Sequence, residues 1–131
     1  MDADKLKAVP LFADMSPDER RKVAQWADEI DVPEGKELVR QHGLGHEFFA
    51  ILEGTCSVTD GEKHLAELGP GDFFGEVALL ESERRTANVT STSPMKLIVM
   101  SRSDFLSMSK SMPDAAAALR ATIAGRLSAN R

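Results

Sequence analysis

Phe73-Phe74-Gly75-Glu76-Val77-Ala78-Leu79-Leu80, the polar loop Glu81-Ser82-Glu83-Arg84-Arg85, and the return at Thr86-Ala87-Asn88-Val89 form the stretch on which the reading of this chain turns. Its first part predicts a short helix, opened by glycine, that interrupts a run of strands. The first amides of such a helix have no partner within it. With the helix dipole behind them they favour an anion, and the small residues Gly75 and Ala78 allow a ligand close to the backbone. The loop that follows can fold Arg85 over the helix start, where a guanidinium offers a planar fork of donors that suits a phosphate. Arg84, beside it, is read as solvent-exposed.

Outward from this stretch, residues 31–101 are short segments rich in Val, Phe, Ile, Leu and Thr, each bounded by glycine, proline or Asp-Gly. Strands are expected near Glu29 to Val32, Glu37 to Gln41, Glu47 to Leu52, Cys56 to Thr59, Lys63 to Leu68, Ala87 to Ser91 and Lys96 to Met100. The breaks are Pro33-Glu34-Gly35, Gly43-Leu44-Gly45, Glu53-Gly54, Asp60-Gly61 and Gly69-Pro70-Gly71. Asp60-Gly61 is a hairpin signal, since both central positions of such a turn favour positive φ. Regular spacing of short strands implies a rolled-up antiparallel sheet rather than a parallel one.

Ahead of the strands, Ser16-Pro17-Asp18-Glu19 combines a capping hydroxyl, a proline at the first helical position and a reciprocal glutamate. Val23, Trp26, Ala27 and Ile30 then recur as one buried helical face, with Leu11, Phe12 and Met15 packing alongside. Behind the strands, Ser103-Asp104 opens a short helix, and Pro113-Asp114 opens a last one carrying Leu119, Ile123 and Leu127 at four-residue spacing. That stripe and the Ala115 to Leu119 run fit a helix face packed on the roll or against a second copy. No repeat or linker divides the chain. It reads as one unit over residues 1–131, with a helical lead-in at 1–30, a β-roll at 31–101 and terminal helices at 102–131.

Bulk properties exclude several classes. With 131 residues, 42% hydrophobic and 28% charged, the chain has the composition of a folded domain. A net charge of −5 disfavours nucleic acid and anionic membrane as partners. The lone Cys56 permits neither an internal disulfide nor a multi-cysteine metal cage, and is read as a small core residue. Apolar runs never exceed five residues and the amino terminus lacks a basic-then-apolar pattern, which leaves the cytoplasm by elimination.

Phe-Gly-Glu-Val-Ala-Leu-Leu followed by Arg-Thr-Ala-Asn-Val resembles the phosphate-binding cassette of the cyclic nucleotide-binding domain family, here at residues 73–89. The resemblance extends to Pro33-Glu34-Gly35, Gly45, Glu53-Gly54, Leu68-Gly69-Pro70-Gly71-Asp72 and the flanking helices. It implies a mainly β architecture, a jelly-roll-like β-roll with an amino-terminal helix, a short cassette helix and two carboxy-terminal helices. The family includes the regulatory subunits of protein kinase A, the cyclic GMP-dependent kinases, the catabolite activator protein and cyclic nucleotide-gated channels.

The resemblance also implies a site. Glu76 meets the ribose 2′-hydroxyl and Arg85 the exocyclic phosphate oxygens, with Gly75, Val77 and backbone amides near Ala78 and Ala87 around them. A carboxylate beside the phosphate repels an open, more highly charged phosphomonoester yet accepts a bond from a free 2′-hydroxyl, which helps select the cyclic diester. Thr86 sits where cyclic GMP binders often carry a hydroxyl for the guanine amino group, while the family at large tilts toward cyclic AMP. The last helix serves some members as a lid, which makes Thr122 and Arg126 the lid candidates. At Gln41-His42-Gly43-Leu44-Gly45-His46 the chain departs from the family by placing His42 for a turn glycine and His46 for an acid.

Other readings meet specific obstacles. An ion pair between Glu76 and Arg85 could merely close a loop in a fold that has lost its ligand, but members of that kind usually lack one of the two. A cupin-like metalloenzyme using His42, His46 and Glu53 needs two histidines one residue apart on a strand, and these are four apart across a glycine-rich loop. His64, beside the Asp-Gly turn, is read as a solvated hairpin residue. A transcription regulator of the catabolite activator type would need a basic recognition helix after the roll, so only its sensor domain would fit. No nucleophile or acid–base pair is arranged to hydrolyse a ligand. The expected protein is a non-enzymatic sensor whose ligand, cyclic AMP or cyclic GMP, moves the helices after Ser101. It carries no metal and no other cofactor, with a homodimer partner or an attached effector domain engaged through those helices.

Overall fold

The computed structural model describes residues 1–40, 47–76, 79 and 87–129, with side chains up to residue 126. Along β3 (Glu47–Glu53), Phe48 and Ala50 enter one apolar cluster and Phe49 and Ile51 another, all four buried. The antiparallel neighbour β8 (Met95–Ser101) repeats the alternation, with Ile98 and Met100 on one side and Met95 and Leu97 on the other. A strand buried on both faces has no polar side to give water, which is why both segments read as near-continuous apolar runs.

These strands form the middle of a sheet ordered β1-β8-β3-β6, with β1 at Asp28–Val32 and β6 at Phe73–Phe74. A second sheet, ordered β2-β7-β4-β5, consists of Glu37–Val39, Asn88–Ser91, Cys56–Asp60 and Lys63–Leu68. Val39, Cys56 and Val89 from this sheet meet Phe49, Ile51, Phe74 and Leu97 from the first. The outer face of the first sheet packs on helices. The order of layers is therefore helices, sheet, sheet, as expected for the roll.

The helical layer holds α1 (Ala3–Leu6), α2 (Pro10–Ala13), α3 (Pro17–Ala24), α4 (Arg102–Ser111) and α5 (Pro113–Ala129). Ser16 and Glu19 form the expected capping box at the start of α3. Arg20, only 6% exposed, gives one guanidinium nitrogen to the carbonyls of Phe12, Ala13 and Met15. Those carbonyls lie at the end of α2 and just after it, where a helix leaves acceptors unpaired and the dipole favours a cation. Leu119 and Ile123 of α5 are fully buried with Leu6, Phe12 and Val23, so the last helix is welded to the amino-terminal ones.

Four local expectations change. The stripe from Val23 to Ile30 is not one helical face: α3 ends at Ala24, Trp26 is half-buried and Ile30 lies in β1, so a turn and a strand divide it. Phe73 and Phe74, read as the start of the cassette helix, are strand residues paired with Ala50 and Phe49. Their aromatic side chains can pack in either state, and the sheet edge decides. The hairpin turn sits one residue on, because Asp60 pairs with Lys63 and leaves Gly61-Glu62 as the loop, with Gly61 at φ 60°. Ser101, not Ser103, caps α4 by accepting from the Asp104 amide. Gln41 and the Gly43-Leu44-Gly45 break lie outside the described residues, as does the side chain of Leu127.

Gly54, after β3, has φ 93°, and a Cβ there would fall 2.4 Å from the Pro94 carbonyl oxygen. Gly54→Ala is expected to cost roughly 2–5 kcal/mol by combining left-handed strain with overpacking, read as a lowered midpoint in urea unfolding. Cys56 is fully buried, and burial, helped by the charge of Asp72, pushes its thiol up to about 11. At pH 8 the native protein should resist iodoacetamide and label quickly once denatured, because the thiolate is the reacting form.

Candidate functional site

Gly69-Pro70-Gly71-Asp72 builds the floor of the site. Proline at the second position and Gly71 at φ 94° at the third make a type II turn, closed by the Asp72 amide donating to the Gly69 carbonyl at 3.0 Å. The Gly69 amide donates to the Asp72 carboxylate at 2.9 Å. Two further bonds fix this turn to β3: Gly71 N–H to the Ile51 carbonyl and Ile51 N–H to the Asp72 carbonyl, both 2.9 Å. The turn also lies against α2, since a Cβ on Gly71 would come 3.2 Å from Cδ of Pro10.

From that floor the chain enters β6, where Phe74 stacks on Phe49 with ring centroids 5.0 Å apart and Phe73 tilts against Phe48 at 5.7 Å. Gly75, at φ 76°, then turns the backbone, a conformation that suits glycine. Glu76 follows, and its carbonyl accepts from the amide of the buried Leu79 at 3.0 Å. Glu76 thus stands between two anchored residues, Phe74 and Leu79. Among the described residues its carboxylate takes no hydrogen bond.

Glu76 faces a cavity of about 550 Å³ whose walls are Leu11 of α2, Val58 of β4, Leu68 of β5, the Pro70–Asp72 turn, Phe74 and Arg126 of α5. The size lies in the range of small-molecule sites, and apolar walls with a few polar groups are their usual make-up. Arg126 donates from Nη2 to the Pro10 carbonyl at 3.0 Å and to Oδ2 of Asp14 at 2.5 Å. Thr122, one turn earlier, gives its hydroxyl to the Ala118 carbonyl at 2.8 Å and lines a neighbouring groove with Asp14 and Gly125. Of the two lid candidates, Arg126 is the one on the same cavity as Glu76.

Glu76 is therefore placed at the cavity, with Gly75 as the turn ahead of it, and Ala87 stands half-buried just ahead of β7. Val77, Ala78, Arg85, Thr86 and the Glu81–Arg84 loop lie outside the described residues, as do His42 and His46. Reading the sequence missed Leu11, Val58, Leu68 and Asp14 as wall or wall-supporting residues. Leu11 looked like core, and nothing in local spacing marks Asp14, which meets Arg126 only through tertiary packing of α2 on α5. Among the described residues no group of three or more His, Cys, Asp or Glu side chains is placed to hold a metal ion, and no helix is long and apolar enough to cross a membrane.

The family model of the cyclic nucleotide-binding domain matches residues 29–112. A cGMP-dependent protein kinase of Drosophila melanogaster, isozyme 2, is 37% identical over 111 residues that cover 79% of this chain and 12% of the kinase. The cyclic AMP receptor protein of Thermus thermophilus is 30% identical over 127 residues, covering 93% of this chain and 59% of the receptor protein. The chain thus spans only part of these relatives. The regulatory domain of Toxoplasma gondii PKA, solved with cAMP, superposes with a TM-score of 0.78 at 27% identity, over 96% of this chain and 48% of that one. With the roll, the turn that floors it and the glutamate at its cavity in place, the match to the family model settles the assignment: this chain belongs to the cyclic nucleotide-binding domain family.

Proposed function

We propose that this protein is a receptor for a purine cyclic nucleotide, binding it reversibly in the cavity under Glu76 and acting as a regulatory sensor rather than an enzyme. The observation that carries the reading is the position of Glu76, held by Gly75 and Leu79 at the edge of a 550 Å³ cavity with a free carboxylate among the described residues. A carboxylate so placed accepts a sugar hydroxyl, and the apolar walls Leu11, Val58 and Leu68 suit a purine face. In this reading Arg85 supplies the phosphate contact, assisted by the amides near Ala78 and Ala87, with Val77 also counted among the ligand-binding residues and the Thr86 hydroxyl suited to a guanine amino group.

Output passes through the helices after Ser101. Because α5 is joined to the amino-terminal helices through Leu119 and Ile123, a ligand that shifts α5 shifts that whole layer or must expose those side chains. Exposing them would cost about 1.5–3 kcal/mol each, so the layer moves as a body. The relatives carry such domains as parts of kinases, channels and a receptor protein. An effector attached to α5, or a second copy packed on it, would read the movement here.

Arg85→Ala is expected to cost roughly 2–4 kcal/mol of binding, about thirtyfold to a thousandfold, without unfolding the protein. Isothermal titration of nucleotide-free protein with cyclic AMP and cyclic GMP measures it, and unchanged affinity removes Arg85 from the site. Glu76→Ala should abolish discrimination between a cyclic ribonucleotide and its 2′-deoxy analogue, a preference of about tenfold in the native protein. Equal discrimination in native and variant protein would detach Glu76 from the sugar.

A further inference from the structure

The chain carries six methionines, and all but Met95 gather in or against the apolar cluster beneath the helices. Met15, Met100 and Met108 are buried there, each at most 4% exposed. Met1 and Met112 are half-buried and pack against the cluster from its margin. A thioether is soft and oxidisable, and its access to solvent decides how soon a peroxide reaches it. The one thiol offers no competing target, because Cys56 is sealed between the sheets and its burial keeps it protonated.

Met112 differs from Met1 in where it stands. It is the single residue between α4 and α5. Its amide donates to the Met108 carbonyl at 2.6 Å and its carbonyl accepts from the Ala116 amide at 3.1 Å, so its backbone is tied to both helices. Its φ of −138° and ψ of 65° lie outside the helical region, as befits a residue ahead of proline. Phe105 and Met108 of α4 and Ala116 and Leu119 of α5 enter the same cluster, so the Met112 side chain packs on the seam that joins the two helices.

We infer that Met112 is an oxidation site at which a peroxide loosens the elbow between α4 and α5. The sulfur attacks one peroxide oxygen. The O–O bond breaks as the S–O bond forms, and with hydrogen peroxide the second oxygen departs as water. Sulfur loses two electrons and the peroxide gains them, with no other reactant. The product is a polar, chiral sulfoxide. Its oxygen needs a donor that an apolar cluster does not supply, so the side chain leaves the cluster and the seam loses that packing. Because α5 carries Arg126 to the cavity wall, the change reaches the ligand site. That last step rests on the cyclic nucleotide reading above, whereas the oxidation and the loosening do not.

The test treats native protein and Met112→Leu with graded hydrogen peroxide, maps the added oxygen by peptide mass spectrometry and follows amide exchange over residues 114–126. Leucine keeps the apolar bulk with little harm to packing and has no sulfur to oxidise. Met112 should gain oxygen before Met15, Met100 and Met108. Exchange across α5 should then quicken about tenfold in native protein and stay unchanged in Met112→Leu. Methionine sulfoxide reductases should reverse it. Met112→Gln, polar without any oxidant, should show the quickened exchange from the start, and peroxide should add nothing to it. Whichever of cyclic AMP and cyclic GMP the native protein binds should bind about tenfold more weakly after oxidation, and equally well before and after in Met112→Leu. Oxygen arriving first on a buried methionine, native exchange unchanged once Met112 is oxidised, or the same quickening in Met112→Leu overturns the inference. Unaltered affinity in oxidised protein with a loosened α5 overturns the link to the ligand site. Should Met112→Leu lose its cooperative melting transition, Met112→Gln decides alone, and native-like exchange in that variant overturns the inference. If untreated protein binds neither nucleotide, the receptor reading fails by itself, and the oxidation map and amide exchange still decide whether Met112 loosens the elbow.

Discussion

Ile51 donates its amide to the Asp72 carbonyl and accepts from the Gly71 amide, both at 2.9 Å, and the site hangs on this pair. Ile51 is fully buried in the doubly covered strand β3. Whatever is tied to it inherits the rigidity of the core. The tie fixes the turn, the turn aims β6, the Phe49–Phe74 stack holds β6 down, and Gly75 then releases the backbone at the point where Glu76 must face the cavity. Four short links carry position from the centre of the protein to a carboxylate at its edge.

The two apolar clusters divide the labour. The one between the sheets, with Cys56, Val89 and Leu97, shapes the roll and one side of the cavity. The one under the helices, with Phe12, Phe105 and Leu119, holds the layer that contributes Leu11 and Arg126 to the opposite side. The cavity lies at the seam, so a ligand filling it touches both. Contacts that differ between arrangements of the two bodies are what allow a ligand to shift them. Surface ion pairs such as Asp14–Arg126 contribute about 0–1 kcal/mol each, small enough to be rearranged by a ligand.

Much of this was legible in the residues because the signals were local. Ser16 and Glu19 announce a capping box through side-chain chemistry alone, and Phe48 to Leu52 announces a buried strand by its lack of polar positions. The cassette string carried the glutamate and the expected arginine together. What was not legible required partners distant in sequence. Phe73 and Phe74 become strand only because β3 offers them an edge. Ile30 joins β1 because Leu97 of β8 pairs with it. Arg126 meets Asp14 across 112 residues, and no periodicity in either segment encodes that meeting.

The second sheet is built differently from the first. Along β5 the side chains of Lys63, His64, Leu65 and Glu67 are exposed, and β4 shows water its half-buried residues while Cys56 alone is sealed. Evolution and the engineer therefore have slack on that outer surface which β3 and β8 deny them. A fluorophore or an affinity handle placed at the exposed Glu67, next in sequence to the cavity-lining Leu68, would sit beside the cavity without disturbing the packing that shapes it.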